Sequence, residues 1–72
     1  MSTSQSWLRD FADRLGVDVP SEEEVATILD LAGSAAHASQ RVAAPVACWI
    51  AAAAGLSPAQ ALEVARAMGD EA

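Results

Sequence analysis

The sequence predicts an all-α fold, a compact bundle of four short helices, and three observations indicate it. Alanine is the commonest residue, tyrosine is absent, and threonine, isoleucine and phenylalanine are scarce, a composition that favours helix over strand. Apolar residues recur at helical spacings. Serine, proline and glycine then mark where each helix begins and ends. The expected helices cover residues 5–15, 21–39, 43–54 and 58–69, within a single domain of residues 1–72 whose ends, 1–4 and 70–72, are expected to be flexible.

The first helix is predicted from one apolar face and a glycine stop. Ser4 or Ser6 can cap its start. Its apolar residues recur three, four and seven positions apart: Trp7, Leu8, Phe11 and Leu15. Gly16 then supplies a left-handed end, and Val17 is placed to fold back on the last turn.

The second helix begins with a capping box. Ser21 can accept from the backbone three residues on, and Glu24 can reach back to its amide. Its inward face is expected to hold six apolar residues: Val25, Ile28, Leu29, Ala32, Ala35 and Ala36. We place its end near Ser39–Gln40, because Pro45 disfavours helical geometry at the residue before it unless the proline lies in a first turn.

The third helix is apolar on every side. Pro45 fits in its first turn, and its large side chains form one face: Val46, Trp49, Ile50 and Ala53. The opposite face is almost entirely alanine with Cys48. A helix that is apolar all round is surrounded by protein. We therefore expect either the central helix of the bundle or an oligomer interface formed by these four residues.

The fourth helix follows a second glycine stop at Gly55. Ser57 is an N-cap, Pro58 stands at the first helical position, and Gln60 completes a capping box. Four residues are expected to point inward: Leu62, Val64, Ala65 and Met68. Gly69 is predicted to end the helix.

The charge balance excludes two classes of partner. The chain carries ten acids, four arginines and no lysine, a net charge of −6. Nucleic acids and anionic lipids require a basic patch, so neither is expected as a partner. The uncharged run from Val42 to Leu56 is too short and too interrupted to span a bilayer, and Met1 to Ser6 is not a signal peptide. The single cysteine, Cys48, fits a reducing compartment, so we expect a cytoplasmic protein.

One polar cluster could bind a small ligand. Asp30, His37 and Arg41 follow one another at helical spacings: the carboxylate would orient the imidazole, and the guanidinium would hold an anion. Arg41 also precedes the third helix, whose first backbone amides could donate hydrogen bonds to the same phosphate or carboxylate as Arg41. In the structural alternative, Asp30 pairs with His37, while Arg41 caps the preceding helix or meets the acids at residues 22–24.

No other residues indicate chemistry. Most serines stand at helix caps or in the polar N-terminus, no glycine-rich loop precedes a helix, and one histidine with one cysteine does not make a zinc site. We therefore predict no catalytic residue, no metal and no cofactor. Trp7 and Trp49 could stack on a flat ligand but are expected in the core.

Several segments resemble a known family, a small uncharacterised helical domain of actinobacteria. The matching segments are Trp7–Leu8, Phe11–Ala12, Leu15–Val17, Ile28–Ala32, Ala36–His37 and Arg41–Ala47. Members of that family occur alone or joined to molybdenum-cofactor guanylyltransferases. The resemblance implies a cytoplasmic accessory in molybdopterin-guanine dinucleotide biosynthesis, and it strengthens the case for Asp30, His37 and Arg41.

Two functions remain open at this stage. The first is a non-catalytic interaction or accessory module that self-associates, as in a homodimer, or docks on a protein partner. The second is a small anion- or nucleotide-binding domain that uses the polar cluster between the second and third helices.

Overall fold

Four helices follow one another in the computed structural model, which describes residues 4–71 and the side chains of residues 4–69. They are α1 (Ser4–Leu15), α2 (Glu22–Ala38), α3 (Ala43–Ala53) and α4 (Pro58–Glu71). The described residues form no strand, so the predicted all-α four-helix bundle is confirmed. None of the helices in this part of the chain is long and apolar enough to cross a membrane. Residues 1–3 and 72 lie outside the described residues, and the expected flexibility of the chain ends stays a prediction.

Both predicted capping boxes are present. At the start of α2, the N–H of Ser21 donates to Glu24 Oε1 at 3.0 Å, and the N–H of Glu24 donates to Ser21 Oγ at 3.1 Å. At the start of α4, Ser57 and Gln60 form the same pair of hydrogen bonds, at 2.9 and 3.2 Å. Each box satisfies two backbone amides that have no partner within the helix, which fixes where the helix begins.

Left-handed glycines end α1 and α3, as the sequence predicts. Gly16 has φ 73° and Gly55 has φ 77°, a region that other residues avoid. The apolar residue after each glycine donates its N–H to the carbonyl oxygen five residues back: Val17 to Ala12 at 3.0 Å, and Leu56 to Ala51 at 3.1 Å. These bonds close the last helical turn and send the chain away from the helix axis.

The predicted end of α4 at Gly69 is wrong. The helix continues to Glu71, and Gly69 is not among the glycines with positive φ. A glycine ends a helix when the next residue can fold back onto the last turn through an apolar contact. The residues after the other two glycines, Val17 and Leu56, are apolar, whereas Asp70 follows Gly69.

The core is small and lies where α2 packs between α3 and α4. Its buried residues are Leu31 of α2 with Ala61 and Leu62 of α4. Three half-buried residues pack against them: Cys48, Ala51 and Ala65. The central helix is therefore α2, which corrects the expectation that α3 could take that place. Small side chains at these contacts let the helices approach closely.

Several residues predicted to point inward are exposed instead: Leu29, Val64, Met68, Trp7 and Trp49. The cause is that these helices carry apolar residues on more than one face. Helical periodicity identifies each apolar stripe but does not say which stripe the chain itself covers. In α2 the buried position is Leu31, at 5% exposure, while Leu29 is 65% exposed.

Replacing the two leucines of α2 by alanine distinguishes the core stripe from the outer one. Leu31→Ala should lower the free energy of unfolding by about 2–5 kcal/mol, because it empties a buried site. A domain of this size rarely has more than about 3–5 kcal/mol in total, so the variant should be largely unfolded by far-ultraviolet circular dichroism. Leu29→Ala is the matched control and should cost about 0.5 kcal/mol or less in urea unfolding. Equal losses in both variants would contradict this core.

Two glycines with equally open surroundings should respond to alanine in opposite directions. A Cβ added at Gly33 or at Gly55 meets nothing within 4 Å. Gly33 lies inside α2, so Gly33→Ala should stabilise the fold by about 0.5–1 kcal/mol. Gly55 has positive φ, so Gly55→Ala should destabilise it by about 1–2 kcal/mol. Thermal unfolding measures both, and a change of the same sign in the two variants would refute the assignment.

Candidate functional site

The most unusual feature of this surface is its content of large apolar side chains. Among residues 4–69, Leu31 and Leu62 are the only large apolar side chains that are buried, and Val25 and Ile28 are half-buried. All the others are exposed. Scattered apolar residues are normal on a protein surface, but contiguous exposed patches indicate a surface that binds something. The candidate site therefore lies among these side chains.

One such patch is the outer side of α3, called here the α3 face and formed by Val46, Trp49, Ile50 and Ala53. These are the four residues for which the sequence predicts an interface. All four are exposed, and Trp49 reaches 75%. Their spacing of three, four and seven residues places them on one side of the helix. The exposure is what an interface residue of an isolated chain requires, while the interface itself stays a prediction.

The inner side of α3 explains why its large residues point outward. Cys48 and Ala51 pack against the core of α2 and α4, and Ala47 is half-buried as well. Ordinary surface helices bury their large apolar residues and expose polar ones. In α3 the small residues are inside and the large ones outside, so the chain itself leaves the heavier side uncovered.

A second apolar surface is an open groove between α1 and the N-terminal half of α2, called here the α1–α2 groove. Its volume is about 620 Å³. Seven large apolar side chains line it: Leu8, Phe11, Leu15, Val17, Val19, Val25 and Leu29. Arg9, Asp18 and Glu22 also line the groove, so its net charge is negative. The apolar face of α1 can be predicted from the sequence, but the groove cannot, because it depends on how α1 lies beside α2.

The predicted polar cluster is not assembled in this structure. Asp30 and His37 are two turns apart on α2, about 10 Å along the helix axis. The helix ends at Ala38, so Arg41 lies in the turn before α3 rather than on the same helix face. All three side chains are exposed, and within residues 4–69 no hydrogen bond or ion pair joins them. The alternative Asp30–His37 pair is therefore absent among the described residues, and a binding role for the three residues stays a prediction.

The start of α3 also has few amides to offer an anion. The N–H of Ala43 donates to Gln40 O at 2.9 Å, and the N–H of Ala44 donates to Arg41 O at 3.1 Å. Pro45, the next residue, has no N–H. The first three residues of α3 therefore have no free amide to share an anion with Arg41.

The remaining polar groups do not form a metal centre in the part of the chain that is described. No group of three or more histidine, cysteine, aspartate or glutamate residues there lies close enough to hold an ion. Cys48, the single cysteine, is half-buried against the core. Its thiol therefore acts as a small apolar packing group.

The chain belongs to the family described as a domain of unknown function (DUF6457), whose model matches residues 1–72. No curated protein and no solved structure matches the chain. The family description names no reaction or ligand. The function is therefore argued from the two apolar surfaces of this chain.

Replacing each member of the polar cluster should leave the fold unchanged. Asp30→Asn, His37→Gln and Arg41→Gln should each alter the free energy of unfolding by less than about 0.5 kcal/mol, because the three side chains are exposed and form no mutual contact. Urea unfolding measures these values. A loss above about 1 kcal/mol in any one variant would show that its side chain has a structural partner.

Proposed function

We propose that this chain is a non-catalytic interaction module, which acts by covering its exposed apolar surfaces with protein. The proposal rests on the exposure of most large apolar side chains. Leu31 and Leu62 are buried, whereas Trp49, Leu29 and Met68 are exposed to 75, 65 and 63%. Contact of apolar side chains with water is unfavourable by about 25 cal/mol for each Å². A partner that covers these side chains removes that cost.

The α1–α2 groove is the surface that docks a different protein. Its apolar walls come from two helices, a geometry that accepts the apolar side of a third helix. The anchors of such a helix would recur at three, four and seven residues. Asp18 and Glu22 outweigh Arg9 beside the groove. The partner segment is therefore an amphipathic helix with a basic flank, since opposite charges at the rim favour encounter.

The pathway in which the module acts is molybdenum-cofactor biosynthesis, at the formation of the guanine dinucleotide. Support for this comes from the resemblance of residues 7–54 to actinobacterial domains that occur alone or joined to guanylyltransferases. A domain that is fused to an enzyme in some proteins and separate in others is suited to bind that enzyme in trans. We accordingly propose an actinobacterial, cytoplasmic accessory protein whose partner is the guanylyltransferase.

Binding to that enzyme tests the proposal. The purified chain should bind the guanylyltransferase of its own organism in isothermal titration calorimetry. Leu29→Gln should raise the dissociation constant by about 10- to 100-fold, because a leucine contributes about 1.5–3 kcal/mol when it is buried. Met68→Gln is the matched control: Met68 is similarly exposed but lies on α4, outside the groove, so the affinity should not change.

The outcomes also decide between this proposal and the ligand-binding alternative. Absence of binding by the wild-type chain at micromolar concentration excludes the guanylyltransferase as the partner. Equal effects of Leu29→Gln and Met68→Gln exclude the groove. If the chain instead binds phosphate or guanine nucleotides, and His37→Ala and Arg41→Ala abolish that binding, the small-ligand function replaces the one proposed here.

A further inference from the structure

The α3 face is separate from the groove and fits a different occupant. We infer that it is the interface of a homodimer, in which two copies of this chain pack α3 against α3 in antiparallel orientation about a two-fold axis. The inference rests on the proposed interaction role and names the partner for the second apolar surface. Three observations support it: the exposed area of the chain, the distribution of its charges, and the form of the face.

The exposed area is larger than a chain of this size needs. The accessible surface is 5855 Å². A closed monomer of this mass has about 4,200 Å², so the chain exposes about 1,600 Å² more. A dimer interface of standard size covers about 800 Å² on each partner. The excess over the whole chain is therefore about twice the area that one partner contributes to such a dimer.

The charges of the chain favour α3 as the place where two copies meet. Each chain has a net charge of −6, so two copies repel each other over most of their surfaces. Residues 42–62 contain no charged side chain at all. Contact through α3 therefore brings no carboxylate of one copy directly against a carboxylate of the other. The acidic flank of the groove, at Asp18 and Glu22, lacks this property.

The form of the α3 face suits a symmetric contact. Val46, Trp49, Ile50 and Ala53 span two helical turns, and Trp49 and Ile50 lie near the middle of the stripe. In a two-fold arrangement the residues nearest the axis meet their own counterparts. Large central residues with small residues at their sides interdigitate well, and tryptophan is enriched at the energetic centre of interfaces. The antiparallel orientation also brings the opposite ends of the two helix dipoles together.

Light scattering and sedimentation of the full chain test the dimer. The wild-type chain should have twice the chain mass at micromolar concentration. Trp49→Gln should raise the dimer dissociation constant by at least about 30-fold, as expected for a central interface tryptophan. Trp7→Gln is the matched control: Trp7 is 55% exposed on α1, where it stacks on Phe11 with ring centroids 5.0 Å apart. The control should remain dimeric.

Two variants with opposite charges at Ile50 provide a second test of the dimer if Trp49→Gln does not fold. Ile50→Glu and Ile50→Lys should each be monomeric when pure, because like charges meet near the axis. Mixing the two variants should restore a dimer that contains one chain of each. A wild-type monomer, a dimer that depends on Trp7 instead of Trp49, or a mixture that stays monomeric would each overturn the inference. A monomer that still binds the guanylyltransferase through Leu29 would refute the dimer and leave the proposed function intact.

Discussion

The close packing of α2 on α3 and α4 is the constraint on which the other features of this molecule depend. The contact is made by Leu31, Ala61 and Leu62, with Cys48 and Ala51 at its edge. Because most of these side chains are small, the contact buries few large apolar side chains. Since the chain has few polar residues in α3, its larger apolar side chains must then face outward. The small core and the large apolar surface are thus two consequences of the same packing.

Much of the fold could be predicted from the sequence because the decisive signals act over three to five residues. The capping box of Ser21 and Glu24 depends on spacing and side-chain chemistry alone, and so do the glycine ends at Gly16 and Gly55. The error at Gly69 has the same local basis. Glycine permits a left-handed turn but does not impose one, and the following residue has to supply the apolar contact that makes the turn favourable.

The surfaces could be predicted only in part, because they depend on which stripe of each helix the chain covers. Leu29 and Leu31 are both apolar residues of α2, and only the position of α4 decides that Leu31 is inside. The same limit explains why the groove beside α1 was missed. Asp30, His37 and Arg41 share one helix face only if the helix reaches Arg41, and α2 ends at Ala38, so Arg41 lies on a separate turn. For α3 the pattern left two placements open, the centre of the bundle or an interface, and the fold shows that its large side chains are exposed.

In a domain with so small a core, binding of the proposed partners would be coupled to folding. A protein that binds only the folded state stabilises it by about 2.7 kcal/mol when its free concentration is 100 times the dissociation constant. The whole stability that a core of this size supplies rarely exceeds about 3–5 kcal/mol. Covering the α3 face or the groove would therefore raise the free energy of unfolding by an amount comparable to the contribution of Leu31 and its neighbours. The amount of folded chain would then follow the supply of its partners, and an unassembled copy would be the form most exposed to proteolysis.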